Sequence, residues 1–238
     1  EVDNALEHRY NRGDLAPQYF MSIINFFSRP KGKSVLGLDI GTTSMKLVEV
    51  ERGEKLPKIL NYGILESRGS IARANTAFQT SNLKLFEDDA AKLLKEFVAR
   101  VRPKTTRTVC SLPIFSAFTT VLNFPKMAPK DLENAVAFQA RQVVPLPLSE
   151  VALDWSKVGE YEDEKGFTFT QVLLISVPHV EIKKYQAITK AAGLDLIALE
   201  IEPLCLARVL VGTDPTSTLL IDIGSRSTGI TVVEKGSI

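Results

Sequence analysis

The chain has little with which to build a metal or disulfide framework: two cysteines and two histidines among 238 residues. Thiols that scarce fit a reducing, cytoplasmic compartment better than a secreted scaffold. No stretch approaches the ~18 consecutive apolar residues of a membrane-spanning helix. No basic segment followed by an apolar run opens the chain, so no secretory signal is expected. An excess of one charge is missing too. Lys+Arg number 29 against 28 Asp+Glu, a balance that argues against a broadly basic nucleic-acid binder. Trp155 is the single tryptophan, and no basic–aromatic interleaving accompanies it, so the aromatics fit packing better than base stacking. What remains is ordinary globular usage, 45% hydrophobic and 24% charged. At about 150 residues per domain, the length holds one to two domains with a sizeable core.

Residues 1–33 read as a tail or linker, with Met21 a plausible natural start. Ile23, Ile24, Phe26 and Phe27, followed by Arg29, Lys31 and Lys33, form a short apolar-plus-basic stretch. It could touch a membrane surface, but it is too short to anchor well alone, and packing on the body of the protein is the simpler reading. At the other end the chain stops at Ile238, just after a strand-like run, which suggests truncation.

An internal repeat is the most informative feature. Residues 36–53 and 220–236 align without a gap at a constant offset of 183. Asp39 matches Asp222, Gly41 matches Gly224, Ser44 matches Ser227 and Gly53 matches Gly236. That spacing is far too long for a solenoid and implies two related halves of one architecture. In each copy a short apolar run reads as a buried strand. An Asp interrupts it near its end, and a Gly and small hydroxyl residues lead into a second, alternating strand. Gly lets the backbone approach a ligand closely. Successive N–H groups in such a turn can cradle phosphate. Thr42, Thr43 and Ser44 in one copy, and Ser225, Ser227 and Thr228 in the other, add hydroxyl donors. Asp39 and Asp222 would repel phosphate unless a cation lay between, and a hydrated Mg²⁺ is the usual solution. A plain Asx-type turn explains one such hairpin; two matching copies favour phosphate binding. Gly32-Lys33-Ser34 only mimics a P-loop, because Phe27 stands where its earlier Gly belongs and a strand follows.

These hairpins resemble the phosphate motifs of the actin-like ATPase superfamily, which includes actin, heat-shock chaperones, sugar kinases, FtsA and PilM. Asp39, Gly41, Thr42 and Lys46 resemble the first motif; Asp222, Gly224, Ser225 and Thr228 resemble the second. The resemblance implies Asp39 and Asp222 near a Mg²⁺ ion and Lys46 near the phosphates of ATP. Arg226 is bulkier than the residue often found in the second turn.

Between the hairpins, residues 57–65 read as a strand and 66–84 as a polar loop. Residues 88–101 follow a helical period, with Asp88 and Asp89 in the first turn and Pro103 just past the end. Thr106–Leu112 reads as a strand in which Cys110 is a small core residue. Residues 118–201 then run strand, helix from Pro129, hairpin around 162–166, helix over 180–192, strand. Gly193 is the expected left-handed cap. That order predicts a small α+β layer inserted in the first lobe. A helix over 204–211 leads to the second phosphate hairpin.

The insertion and its wording resemble the PilM family of type IV pilus assembly. The segments are Phe124-Pro125-Lys126-Met127, the proline-bearing run 139–151, Gly193-Leu194 and the run 202–208 beginning Glu202-Pro203. The resemblance implies an α/β, actin-like (ribonuclease H-like) lobe divided as follows: 34–117 first lobe, 118–201 insert, 202–216 closing helix, 217–238 start of a second lobe. It implies a cytoplasmic adaptor at the inner membrane. The adaptor would bind ATP and Mg²⁺ and recruit the N-terminal peptide of a PilN-like membrane protein, among other platform proteins. The peptide would lie in a groove formed around residues 105–125 and 145–201. Nucleotide sits between two lobes in that family, so this chain is expected to bind ATP poorly. An FtsA-like division protein and a small-molecule kinase are the alternatives. A kinase needs a general base. Asp154, Asp195 and His179 lack a motif for that role, and His179 reads as a helix-start residue. No residue is assignable to positioning water for hydrolysis.

Overall fold

The computed structural model describes residues 34–41, 43–53, 57–66, 81–212, 214–224 and 227–234. The tail readings at 1–33 and the residues Thr42, Ser225 and Arg226 lie outside them. Two compact units emerge, one made of residues 118–176 and the other of residues on either side of it in sequence.

The larger unit is built on a five-stranded sheet in the order β3-β2-β1-β4-β8. The strands are β1 (Ser34–Ile40), β2 (Ser44–Glu51), β3 (Lys58–Glu66), β4 (Arg107–Leu112) and β8 (Asp195–Ile201). Period-2 alternation explains the first two: Leu36, Leu38 and Ile40, then Met45 and Leu47, are buried on one face. β1–β2–β3 is an antiparallel meander, whereas β4 joins β1 in parallel and β8 joins β4 in parallel. Parallel neighbours need long crossovers, and helices supply them. α1 (Ser81–Val101) precedes β4 and α3 (His179–Ala191) precedes β8. Ala90, Leu94 and Phe97 of α1 are buried at helical spacing. α1 packs against β3 and against α3. The approach at β3 is so close that a Cβ on Gly63 would stand 2.6 Å from Val101 Cγ2 and 2.9 Å from Phe97 Cε2.

Helix ends follow local chemistry. α1 closes on Arg102, whose φ of 53° is left-handed and whose N–H donates to the Val98 carbonyl. Pro103 then bars continuation. α3 closes on Gly193 at φ 75°, with the Leu194 N–H reaching back to the Thr189 carbonyl. His179 begins α3, as its sequence position suggests.

One buried carboxylate ties this unit together. Glu49 lies on the core face of β2 with no accessible surface. Its two oxygens accept the Lys104 backbone N–H at 3.2 and 3.1 Å, and the Ser34 hydroxyl stands at 3.5 Å. The loop between α1 and β4 is thereby pinned to the middle of the sheet.

The smaller unit contains β5 (Phe118–Pro125), α2 (Pro129–Val143), β6 (Val151–Glu162) and most of β7 (Thr168–Pro178). Its sheet order is β5-β7-β6. α2 starts with Pro129 at its first position, where a missing N–H costs nothing. Leu132, Val136 and Ala140 pack with Phe124, Val172 and Leu174 in one core. The β6–β7 turn is tied by Asp163, whose side chain accepts the Lys165 and Phe167 N–H groups.

This division corrects the insert boundary. The run 118–201 mimics one split α+β layer in chain order, but α3 and β8 belong to the larger unit. β8 pairs with β4 over Arg107↔Asp195 to Leu112↔Ile201. The insert is 118–176. α1 also starts at Ser81, within the stretch read as loop.

α4 (Glu202–Leu210) leads to a separate antiparallel hairpin, β9 (Thr218–Ile223) with β10 (Thr228–Val233). Cross-strand pairing sets Ile221 opposite Ile230 and Leu219 opposite Val232. These four and Ile223 are largely exposed, an apolar face too contiguous to be typical of a monomer surface.

Candidate functional site

The two repeat hairpins share one turn geometry. The Gly41 N–H donates to the Ser44 carbonyl at 2.9 Å, and the Gly224 N–H donates to the Ser227 carbonyl at 3.0 Å. A Cβ on Gly41 would sit 2.9 Å from the Ser44 oxygen, and one on Gly224 would sit 3.0 Å from the Ser227 oxygen. Close backbone approach within the turn therefore calls for glycine at 41 and leaves a side chain little room at 224, apart from any ligand. Thr43, Ser227 and Thr228 are exposed and Ser44 is half-buried.

The carboxylates preceding the glycines differ in environment. Asp39 pairs across the strands with Lys46, and Lys46 Nζ stands 3.0 Å from Asp39 Oδ2. The other oxygen, Oδ1, accepts the Ser111 hydroxyl of β4 at 3.0 Å. Asp39 is thus held from both neighbouring strands. In the second copy the residue across from Asp222 is Gly229. The repeat has lost its lysine there, and Asp222 is exposed without an ion pair among the described residues. Among the described residues, one half of the repeat carries a counter-ion beside its carboxylate and the other does not.

A third carboxylate joins them. Glu202 opens α4, ahead of Pro203. Burial pushes its pKa up, Asp39 and then Asp222 push it further, and Lys46 opposes them. Sequence reading gave Glu202 no role, although a Glu-Pro pair at a helix start was visible. Ser111 was also missed. A hydroxyl side chain between Cys110 and Leu112 inside β4 was the available signal.

Below this group, Glu200 is nearly buried and forms a bidentate pair with Arg208, with Arg208 Nη1 at 2.8 Å from Oε2. The Cys205 thiol donates to the same carboxylate at 3.3 Å. Burial, followed by the charge of Glu200, pushes Cys205 up to about 12, so it is a structural thiol. Cys110 is buried and its pKa raised chiefly by desolvation. The Glu200–Arg208 pair ties α4 to β8 and so fixes the helix start that carries Glu202.

Among the described residues, no three His, Cys, Asp or Glu side chains lie close enough to hold a metal ion directly. Asp39 and Asp222 are the carboxylates whose charges reach Glu202, and a cation bound through water needs few direct carboxylates.

Glu202 gives a prediction. Its raised pKa means the folded chain holds the proton to higher pH than the unfolded chain. Stability therefore falls as pH rises from the ordinary carboxyl range through the folded value. Glu202→Gln removes that penalty. Thermal unfolding of the variant should occur above wild type at pH 7, and the gap should close as pH falls below the ordinary carboxyl range, where Glu202 is protonated in both the folded and the unfolded chain. A variant less stable than wild type at pH 7 would contradict this environment.

A lobe with this strand order, a phosphate-type turn repeated on a second hairpin and an inserted α+β unit defines an actin-like ATPase fold. The chain belongs to the type IV pilus assembly protein PilM family, whose model matches residues 37–238. Among solved structures it is similar to the "PilM-PilN type IV pilus biogenesis complex" at 23% identity and TM-score 0.68, covering 87% of this chain and 60% of that one. It is also similar to the cytoplasmic domain of EpsL, described as an inner membrane component of the type II secretion system of Vibrio cholerae. That match has 12% identity and TM-score 0.53, covering 85% of this chain and 68% of the other. The chain thus spans about 60% of the chain it matches in that complex. No described helix is long and apolar enough to cross a membrane.

Proposed function

We propose that this protein is a cytoplasmic adaptor of the type IV pilus assembly platform. It would bind Mg²⁺–ATP between its two repeat hairpins and recruit the N-terminal cytoplasmic peptide of a PilN-like membrane protein. The observation that carries this reading is the PilM family match over 37–238. Similarity to a PilM–PilN complex supports the choice of partner. In this reading β9 and β10 are the first strands of a second lobe, and the apolar face of Leu219, Ile221, Ile223, Ile230 and Val232 packs within that lobe.

The residues assign themselves to roles by chemistry. The turns at Gly41 and Gly224 present backbone and hydroxyl donors to phosphate oxygens. Asp39 and Asp222, with Glu202, would hold a hydrated Mg²⁺, which would supply charge neutralisation between carboxylates and phosphates. Lys46 is a mobile cation: its side chain is 57% exposed and can turn from Asp39 to a phosphate. Association with the membrane then runs through the partner.

The test is coupling. Labelled PilN-like peptide is titrated into the intact protein by fluorescence anisotropy, with and without Mg²⁺–ATP. A nucleotide that biases the fold shifts peptide affinity by about 5- to 150-fold, and peptide shifts nucleotide affinity equally. Peptide affinity indifferent to a nucleotide shown to bind would refute a nucleotide-gated adaptor.

A further inference from the structure

The hydrogen bond between Ser111 and Asp39 joins residues 72 positions apart on adjacent parallel strands. Its geometry says more than that two polar atoms found each other. Asp39 stands at the end of β1, next to the turn that closes on Gly41. Lys46 holds one carboxylate oxygen and Ser111 the other. The two holders differ in kind. Lys46 has four rotatable carbons and is mostly exposed, so its grip is loose. Ser111 is half-buried, has one rotor and is fixed by the β4 backbone, which pairs with β1 through Leu36↔Thr108 to Leu38↔Cys110. When Lys46 leaves for another anion, Ser111 is the remaining described hydrogen-bond donor to Asp39. Nothing about the sheet asks for serine here, because flanking positions of β4 carry ordinary strand or core residues.

We infer that Ser111 is a positioning residue: its hydroxyl fixes the Asp39 carboxylate so that Oδ2 is presented to a cation as Lys46 swings away. Groups that orient a metal-facing ligand commonly influence affinity about as strongly as some ligands do. The inference rests on the nucleotide reading above, in that the cation is the one bound with nucleotide. It names a residue whose role neither the repeat nor the turn geometry provides.

Two measurements on the intact protein test it. The first is a pair of crystal structures, Ser111→Ala and Ser111→Thr, without nucleotide. Asp39 should leave its orientation in the alanine variant and keep it in the threonine variant, which retains a hydroxyl. The second is nucleotide affinity with Mg²⁺ and with EDTA. Ser111→Ala should lose about tenfold in the Mg²⁺ titration with little change in EDTA, and Ser111→Thr should restore the Mg²⁺ advantage. A merely structural serine would weaken both titrations alike. Asp39 unmoved in Ser111→Ala, or an undiminished Mg²⁺ advantage, overturns the inference. If wild type binds no nucleotide but Asp39 still moves in Ser111→Ala, the positioning role stands and the nucleotide reading falls.

Discussion

If the proposed nucleotide site is right, Asp39→Asn is expected to weaken Mg²⁺–nucleotide binding by the intact protein about a hundredfold and to leave the fold intact. The substitution keeps the size of the side chain and an oxygen for the Ser111 hydroxyl, but removes the charge that would face the cation in the proposed site. An interaction with a charged group is worth about 1.5–3 kcal/mol, and a hundredfold in affinity is about 2.7 kcal/mol. Stability should hardly move. The Asp39–Lys46 pair lies at the surface, with side chains 32% and 57% exposed, and such pairs contribute about 0–1 kcal/mol. Calorimetry with Mg²⁺–ATP reads the first effect and thermal unfolding the second. Undiminished binding in Asp39→Asn would remove Asp39 from the site. A collapse in thermal stability would make it a structural residue instead.

Glu49→Ala has the opposite profile, a large loss of stability with no direct effect on ligands. Glu49 is wholly buried, and no cation among the described residues pairs with it. Its worth lies in accepting the Lys104 N–H and the Ser34 hydroxyl. Alanine leaves a buried backbone N–H without an acceptor, which costs about 1–3 kcal/mol, and opens a cavity besides. We expect about 3 kcal/mol in total. For a unit of this size that lowers the unfolding temperature by roughly 6–12 °C. Glu49→Gln, which keeps an oxygen for Lys104, should lose distinctly less. Equal losses in the two variants would mean that packing, not hydrogen bonding, accounts for what Glu49 contributes.

Much of the fold is legible in the sequence because its signals are local. Alternation over Leu36, Leu38 and Ile40 marks β1. The period of Ala90, Leu94 and Phe97 marks α1, and Gly193 marks the end of α3. The repeat of Asp39-x-Gly41 at Asp222-x-Gly224 makes the two turns visible before any contact is known, and the structure gives them the same N–H to carbonyl closure. What escapes is non-local. Pairing of β4 with β8 bridges the whole insert, so a chain-order reading placed α3 and β8 on the wrong side of the boundary at residue 176. The bond from Ser111 to Asp39 and the influence of Asp39 and Asp222 on Glu202 have the same origin. Parallel neighbours meet only after long crossovers, and a single sequence records no trace of which strand ends become adjacent. The asymmetry of the repeat was readable, since Gly229 stands where the alignment would put a second lysine. Its meaning required the register that sets Gly229 across from Asp222.

The central claim, a pilus adaptor built on this fold, is tested most directly by titrating the 238-residue chain with a peptide of the N-terminal cytoplasmic segment of a PilN-like protein. Folding is verified by circular dichroism, and a scrambled peptide serves as control. The account predicts saturable binding of the native peptide without added nucleotide and none of the scrambled one. A folded chain that ignores the native peptide, or takes both peptides alike, would contradict it.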